Sequence, residues 1–197
     1  MALISLENIS FHYEEPYSPI FEHLSLGIDT AWKTGLVGRN GRGKTTLLNL
    51  LCGRMQPTAG QRSMPVEPFY FPYLPPVEDR PTLEVIRASV APFDDWERQM
   101  QALLEAGDEP SLAAYGEVAA RFEQLGGYRI DEDIAREAVL LGLDEELLMR
   151  PFSSLSGGGR TRALIAPLFL RRGCFPLIDE PTNHLDMAGR QALGEYL

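Results

Sequence analysis

Cysteine is scarce in this sequence. Its 197 residues include only two, Cys52 and Cys174. Two are too few for a disulfide framework or a thiolate metal site, so a reducing, cytoplasmic compartment is the expectation. No apolar run approaches the roughly 18 to 20 residues that cross a bilayer, which excludes direct membrane insertion through a helical span. The opening stretch MALISLENISF alternates like a strand and lacks the basic and apolar regions of a secretory signal. Low-complexity tracts and internal repeats are absent as well. The remaining expectation is a globular chain with one substantial core, or one core and a smaller lobe.

Charge is present but unevenly placed. The net charge is −10. Residues 78–150 hold 18 acidic and 7 basic side chains, a balance of −11, and the rest of the chain holds 10 and 11, a balance of +1. The middle is therefore a distinct acidic insert, read as a solvated helical surface that does not bind a phosphate backbone directly.

Local patterns organise the remainder. Residues 3–11 and 21–29 read as strands, with Leu24, Leu26 and Ile28 alternating with polar neighbours. The apolar run TGLVG (34–38) reads as a short strand entering a glycine-rich turn, and KTTLLNLLCG as a helix ending at Gly53. Residues 66–76 are extended and aromatic. Within the insert, three helical stripes are expected to form a core: Trp96, Met100, Leu103 and Leu104; Leu112, Tyr115, Val118, Phe122 and Leu125; Ile134, Ala138 and Leu141. A helix over SGGGRTRALIAPLFLRR and a strand at CFPLI follow.

Three motifs carry chemistry. GRNGRGKT, Gly38 to Thr45, fits G-x-x-x-x-G-K-[ST]. Its glycines let backbone N–H groups curl around phosphate oxygens, and the helix start supplies donors and dipole. Gly38, Arg39, Asn40, Gly41, Arg42, Gly43, Lys44, Thr45 and Thr46 are the expected nucleotide-binding residues, with Lys44 on the β and γ phosphates and Thr45 on Mg²⁺. Asp179 and Glu180 end the CFPLI strand. In that position Asp179 would complete the Mg²⁺ shell and Glu180 would polarise the attacking water. LSGGG, Leu155 to Gly159, opens a helix. Ser156, Gly157 and Gly158 read either as a second anion site for a phosphate held by another domain or as an ordinary loop and N-cap.

Together and in this order, GRNGRGKT, LSGGG, CFPLIDE and NHLD (183–186) resemble the ATP-binding cassette ATPases over nearly the whole chain. They stand as Walker A, signature, Walker B and D-loop. DEPTNHLD resembles the ABC-F branch, which has paired cassettes and no transmembrane segments. FYFPY, RPFSSLSGG and FEHLSLGIDTAWKTGLVGRNGRGKTTLLNLL resemble its antibiotic-resistance members, which protect ribosomes against lincosamide, streptogramin A and pleuromutilin drugs. The resemblance implies an α/β P-loop cassette with a mixed sheet core, an N-terminal antiparallel portion and a helical subdomain. It places the ATP-binding core at 1–77 and 156–197 and the acidic subdomain at 78–155. It also implies ATP and Mg²⁺ as cofactors, Tyr13 stacking on adenine, and Lys44 and Glu180 as catalytic groups. A second cassette, in cis or as a homodimer, is the implied partner, along with the ribosome; drug is displaced and not bound directly.

The sequence departs from that pattern in places. Pro76 stands where transporters place the Q-loop glutamine, and Gly159 where Gln or Glu is usual. Pro167 should kink the signature helix or cost about 3 kcal/mol. Pro176 removes a ladder hydrogen bond from a strand expected to be central. The family's switch histidine lies about one helix and one strand past the D-loop, whereas eleven residues follow Asp186. His12, His23 and His184 belong to other motifs, so the chain reads as a truncated cassette. Two alternatives stand beside the ABC-F reading. One is the ATP-binding subunit of a membrane transporter, disfavoured by PTNHLD, FYFPY and Pro76. The other is a nucleotide-binding module with impaired hydrolysis.

Overall fold

The computed structural model describes residues 2–183, 185 and 187–196. His184 and Asp186 of the D-loop lie outside them. The chain forms two compact units, the first from residues 1–71 and 173–179, the second from 72–172 and 180–197.

The first unit begins with two long strands, β1 (Leu3–Tyr13) and β2 (Ser18–Asp29), followed by α1 (Lys44–Cys52), β3 (Ala59–Ser63), β4 (Glu67–Phe71) and, much later, β5 (Cys174–Ile178). β1 is the centre of an antiparallel sheet in the order β2-β1-β3. Its buried side chains change parity, from Ile4 and Leu6 to Ile9 and Phe11. A one-residue slip normally turns a strand's apolar face outward. Here a register shift between Leu6 and Ile9 restores it, with Asn8 and the facing His23 both left-handed (φ 54°). Their side chains meet at 2.9 Å, Nδ1 to Oδ1, and such bulges commonly redirect a strand. Gly60 of β3 passes so close that a Cβ there would lie 2.4 Å from the Asn8 carbonyl oxygen.

Parallel pairing occurs in a separate two-stranded sheet, β4 beside β5, with Tyr70 opposite Leu177 and Phe71 opposite Ile178. The core of this unit gathers Ile4, Leu6, Ile9 and Phe11 from β1, Leu47, Leu50 and Leu51 from α1, and Tyr70 and Leu177.

Two expectations about strands are corrected here. Residues 34–38 form no strand, and Val37 is 95% exposed. An apolar run becomes a strand only when a partner takes up its N–H and C=O groups, and among the described residues none pairs with this one. Pro176 does not sit in a central strand either. Among the described residues β5 is paired on one side only, where a residue lacking an N–H is tolerated.

The second unit is helical: α2 (Thr82–Val90), α3 (Phe93–Ala106), α4 (Glu109–Gln124), α5 (Ile130–Leu140), α6 (Glu145–Met149), α7 (Gly157–Leu170) and α8 (Met187–Tyr196). Asp108 and Asp144 cap α4 and α6, accepting from Ser111 N at 2.7 Å and Leu147 N at 2.9 Å. Of the expected stripes, Met100, Phe122, Ile134, Ala138 and Leu141 are buried, whereas Leu104 and Leu112 are exposed. The stripe reading missed Phe93, which is fully buried and meets Trp96 and Phe122 edge-on, with ring centroids 5.8 and 5.5 Å apart.

Three of the acids in this unit gather on one cation. The largely buried Arg87 pairs with Asp94 at 2.8 Å, Glu97 at 2.6 Å and Asp131 at 3.6 Å, joining α2, α3 and α5. α7 runs through the buried Pro167 without a break in its helix.

Candidate functional site

The phosphate-loop residues all lie in the first unit. α1 starts directly after Gly43, which is left-handed (φ 83°) and offers no side-chain cap to the helix N–H groups. Two separate constraints hold Gly43. Its φ disfavours any L side chain, and a Cβ would lie 2.5 Å from Ile20 Cγ2 and 2.9 Å from Phe21 Cζ. Gly41 (φ 77°) is constrained by conformation alone, since its Cβ would meet nothing within 4 Å. Gly38 has neither constraint; the nearest atom to its Cβ would be Lys44 Cδ at 3.9 Å.

Lys44 curls back over this loop, its Nζ donating to the carbonyls of Gly38 at 2.9 Å and Arg39 at 3.3 Å. Arg39, Asn40, Arg42 and Thr45 are exposed, while Thr46 is buried. The Thr46 hydroxyl meets the Tyr13 hydroxyl at 3.0 Å. Tyr13 also packs its ring edge-on against Phe11, 5.1 Å between centroids, and is 38% exposed. The aromatic expected to stack on adenine is thus anchored through its hydroxyl to the first turn of α1.

Asp179 belongs to the same unit. Its N–H donates to the Phe71 carbonyl at 2.9 Å, which carries the parallel ladder one residue past β5. Its carboxylate accepts from the Tyr70 hydroxyl, Oη to Oδ2, at 3.0 Å. Burial, reinforced by that bond, pushes the Tyr70 hydroxyl up to about 12, so it remains a donor at neutral pH. The Arg54 guanidinium lies 4.0 Å from the Tyr70 ring centroid. Tyr70 lies within FYFPY, but the sequence pattern gave neither it nor Arg54 a role.

Glu180 and the signature residues fall in the second unit. Glu180 is itself left-handed (φ 45°), which turns the chain off the end of the ladder. Asn183 closes that turn, donating its N–H to the Glu180 carbonyl at 3.1 Å and its Nδ2 to Oε2 at 2.7 Å. The two adjacent acids are thus held differently, one by a strand and one by a turn. Ser156 is the N-cap of α7, its Oγ accepting from Gly159 N at 3.1 Å. Gly159 is buried, and a Cβ would come within 3.3 Å of that Oγ. Glycine at this position, where the resemblance leads one to expect Gln or Glu, therefore has a local packing reason. Gly157 and Gly158 lie in the first turn of α7, and a Cβ on Gly157 would meet nothing within 4 Å. Pro76 is exposed, at a bend between β4 and α2.

A glycine-rich turn opening a helix, with its lysine and threonines, and an acid at the end of a parallel strand define a family. The profile of the ABC transporter family matches residues 21–183, and the chain belongs to that family. It is 31% identical to mouse ATP-binding cassette sub-family F member 3 over 99% of this chain and 23% of that protein. To the tylosin resistance ATP-binding protein TlrC of Streptomyces fradiae it is 32% identical, over 98% of this chain and 37% of that one. The chain therefore spans well under half the length of these relatives. Among solved structures, an ATP-binding protein of an ABC transporter from Pyrococcus furiosus aligns at a TM-score of 0.66 and 16% identity, over 98% of this chain and 83% of that one. A bacterial ABC transporter cassette determined as a dimer aligns at 0.63 and 18%, over 98% and 80%. These likenesses establish the α/β cassette fold. No helix among the described residues is long and apolar enough to cross a membrane.

Proposed function

We propose that this chain is an ATP-binding and hydrolysing cassette of an ABC-F protein that acts on ribosomes in the cytoplasm and contributes to antibiotic resistance. The observation that carries the reading is the start of α1, where Gly43 leaves the N-terminal donors without a side-chain cap and Lys44 lies over the loop. A helix N-terminus of this kind, with a flexible cation beside it, suits a polyphosphate. Among relatives, the Streptomyces protein is named for tylosin resistance.

Each residue then has a task. Backbone groups of residues 38–46 cradle the phosphates, Lys44 balances their charge, and Tyr13 offers its exposed ring face to the base. The Thr45 hydroxyl and the Asp179 carboxylate are hard oxygen donors that fit Mg²⁺. When bound, Mg²⁺ neutralises phosphate charge. Glu180 accepts the proton of the attacking water. In a pair of cassettes, the second supplied in cis or by another copy, Ser156, Gly157 and Gly158 face the nucleotide held by the partner. Ser156 can cap and bind at once, because a hydroxyl that accepts from Gly159 N still has its own O–H to donate. The acidic lobe at 78–155 stays off the phosphate backbone of RNA.

A second reading, a nucleotide-binding module with impaired hydrolysis, rests on the Glu180 carboxylate being engaged by Asn183 and on Pro76. ATP turnover of the wild type and of Glu180→Gln, with and without ribosomes, separates the two. Loss of a general base typically slows turnover by about 10²- to 10⁴-fold, and this loss with binding intact is the expected result. Equal turnover in both proteins contradicts the role of Glu180. Binding without turnover in the wild type favours the second reading.

A further inference from the structure

We propose that Tyr70 is a positioning residue for Asp179, fixing the carboxylate through which this cassette holds its divalent cation. The inference rests on the nucleotide-binding reading above and adds to it a residue to which no motif gave a role. β4 holds Asp179 twice. The Phe71 carbonyl takes its N–H at 2.9 Å, and the neighbouring Tyr70 hydroxyl donates to Oδ2 at 3.0 Å. Backbone and side chain are thereby fixed by consecutive residues of one strand, while Oδ1 has no hydrogen-bond partner among the described residues. Tyr70 is itself buried, at 8% exposure, with the Arg54 guanidinium 4.0 Å over its ring. A phenylalanine would keep the packing and leave the carboxylate free to rotate. Groups that orient metal ligands from behind commonly affect metal affinity nearly as strongly as the ligands do.

The test measures the affinity of the whole chain for a fluorescent ATP analogue in EDTA and in saturating Mg²⁺. The readout is the enhancement that the metal gives. In Tyr70→Phe the enhancement should fall by about tenfold, with the affinity in EDTA and the metal-free melting temperature at wild-type values. In an Asp179→Asn background the same substitution should change nothing further, because the pair acts as one unit. Arg54→Met, which keeps the hydroxyl, should lower the enhancement by about two- to fivefold, and it serves as the test if Tyr70→Phe does not fold.

Full enhancement in Tyr70→Phe, or in Arg54→Met where that is the variant read, overturns the proposal. So does an equal loss in EDTA or in the Asp179→Asn background, either of which makes Tyr70 merely structural. A wild type that binds nucleotide without any metal enhancement also overturns it. A wild type that binds no nucleotide overturns the reading beneath it.

Discussion

Two helices in this chain start from glycine-rich turns, and they start in opposite ways. α1 follows a left-handed Gly43 that gives its first N–H groups no side-chain acceptor. α7 follows Ser156, extended at φ −60° and ψ 161°, whose hydroxyl takes up the Gly159 N–H. Two further side-chain bonds at the α7 start take up carbonyls and no N–H, with Thr161 Oγ1 donating to the Gly157 carbonyl at 3.0 Å and Arg160 to the Ser153 carbonyl. The orphan donors of a helix must be met by something. At α7 a cap side chain meets one of them, the Gly159 N–H, whereas at α1 no cap side chain meets any. Similar glycine content thus serves two ends, and the residue at the cap position decides which.

The comparison is broken most severely at Gly43. Gly43→Ala forces a left-handed φ on an L side chain and drives its Cβ into Ile20 and Phe21. The expected loss is about 2 to 4 kcal/mol in denaturant unfolding, with nucleotide binding falling alongside. A smaller effect is expected at Ser156. Ser156→Ala removes the α7 cap and should cost about 1 kcal/mol, while Ser156→Asp should keep most of it. ATP affinity of the single chain should not move in either variant, since α7 binds nothing in its own cassette.

The sharpest contrast comes from the smallest structural change. Gly38 is held by neither conformation nor packing, so Gly38→Ala should alter stability by no more than about 0.5 kcal/mol. ATP affinity should nevertheless drop, because the added methyl intrudes where the backbone must approach a phosphate. Unchanged affinity would show that this end of the loop does not touch the ligand.

Much of this architecture was legible beforehand, for physical reasons that differ by element. α1 and β5 appear where apolar patterning and a glycine stop placed them, because their signals are local. The start of α7 was legible for the same reason. The strand expected at 34–38 was not, since pairing is a property of two segments and the pattern describes one. β3 escaped notice because all five of its residues are exposed and polar or small, leaving no apolar alternation to read. Phe93 lies three residues before Trp96 and seven before Met100, on the same face. The spacing could have found it had the stripe been traced one turn further; that it centres an aromatic cluster only packing reveals. The Tyr70–Asp179 bond spans 109 positions, beyond the reach of any motif. The acid pair itself was legible, whereas the left-handed turn that splits it between strand and loop was not.

The central claim is that the α1 start is a phosphate site built around Lys44. Its most direct test is titration of ATP into the wild type and Lys44→Ala, with melting temperature followed in parallel. The account predicts an affinity lower by about 100-fold or more in the variant, as expected when charge-assisted bonds are lost, at an unchanged ligand-free melting temperature. Undiminished ATP binding by Lys44→Ala would contradict it.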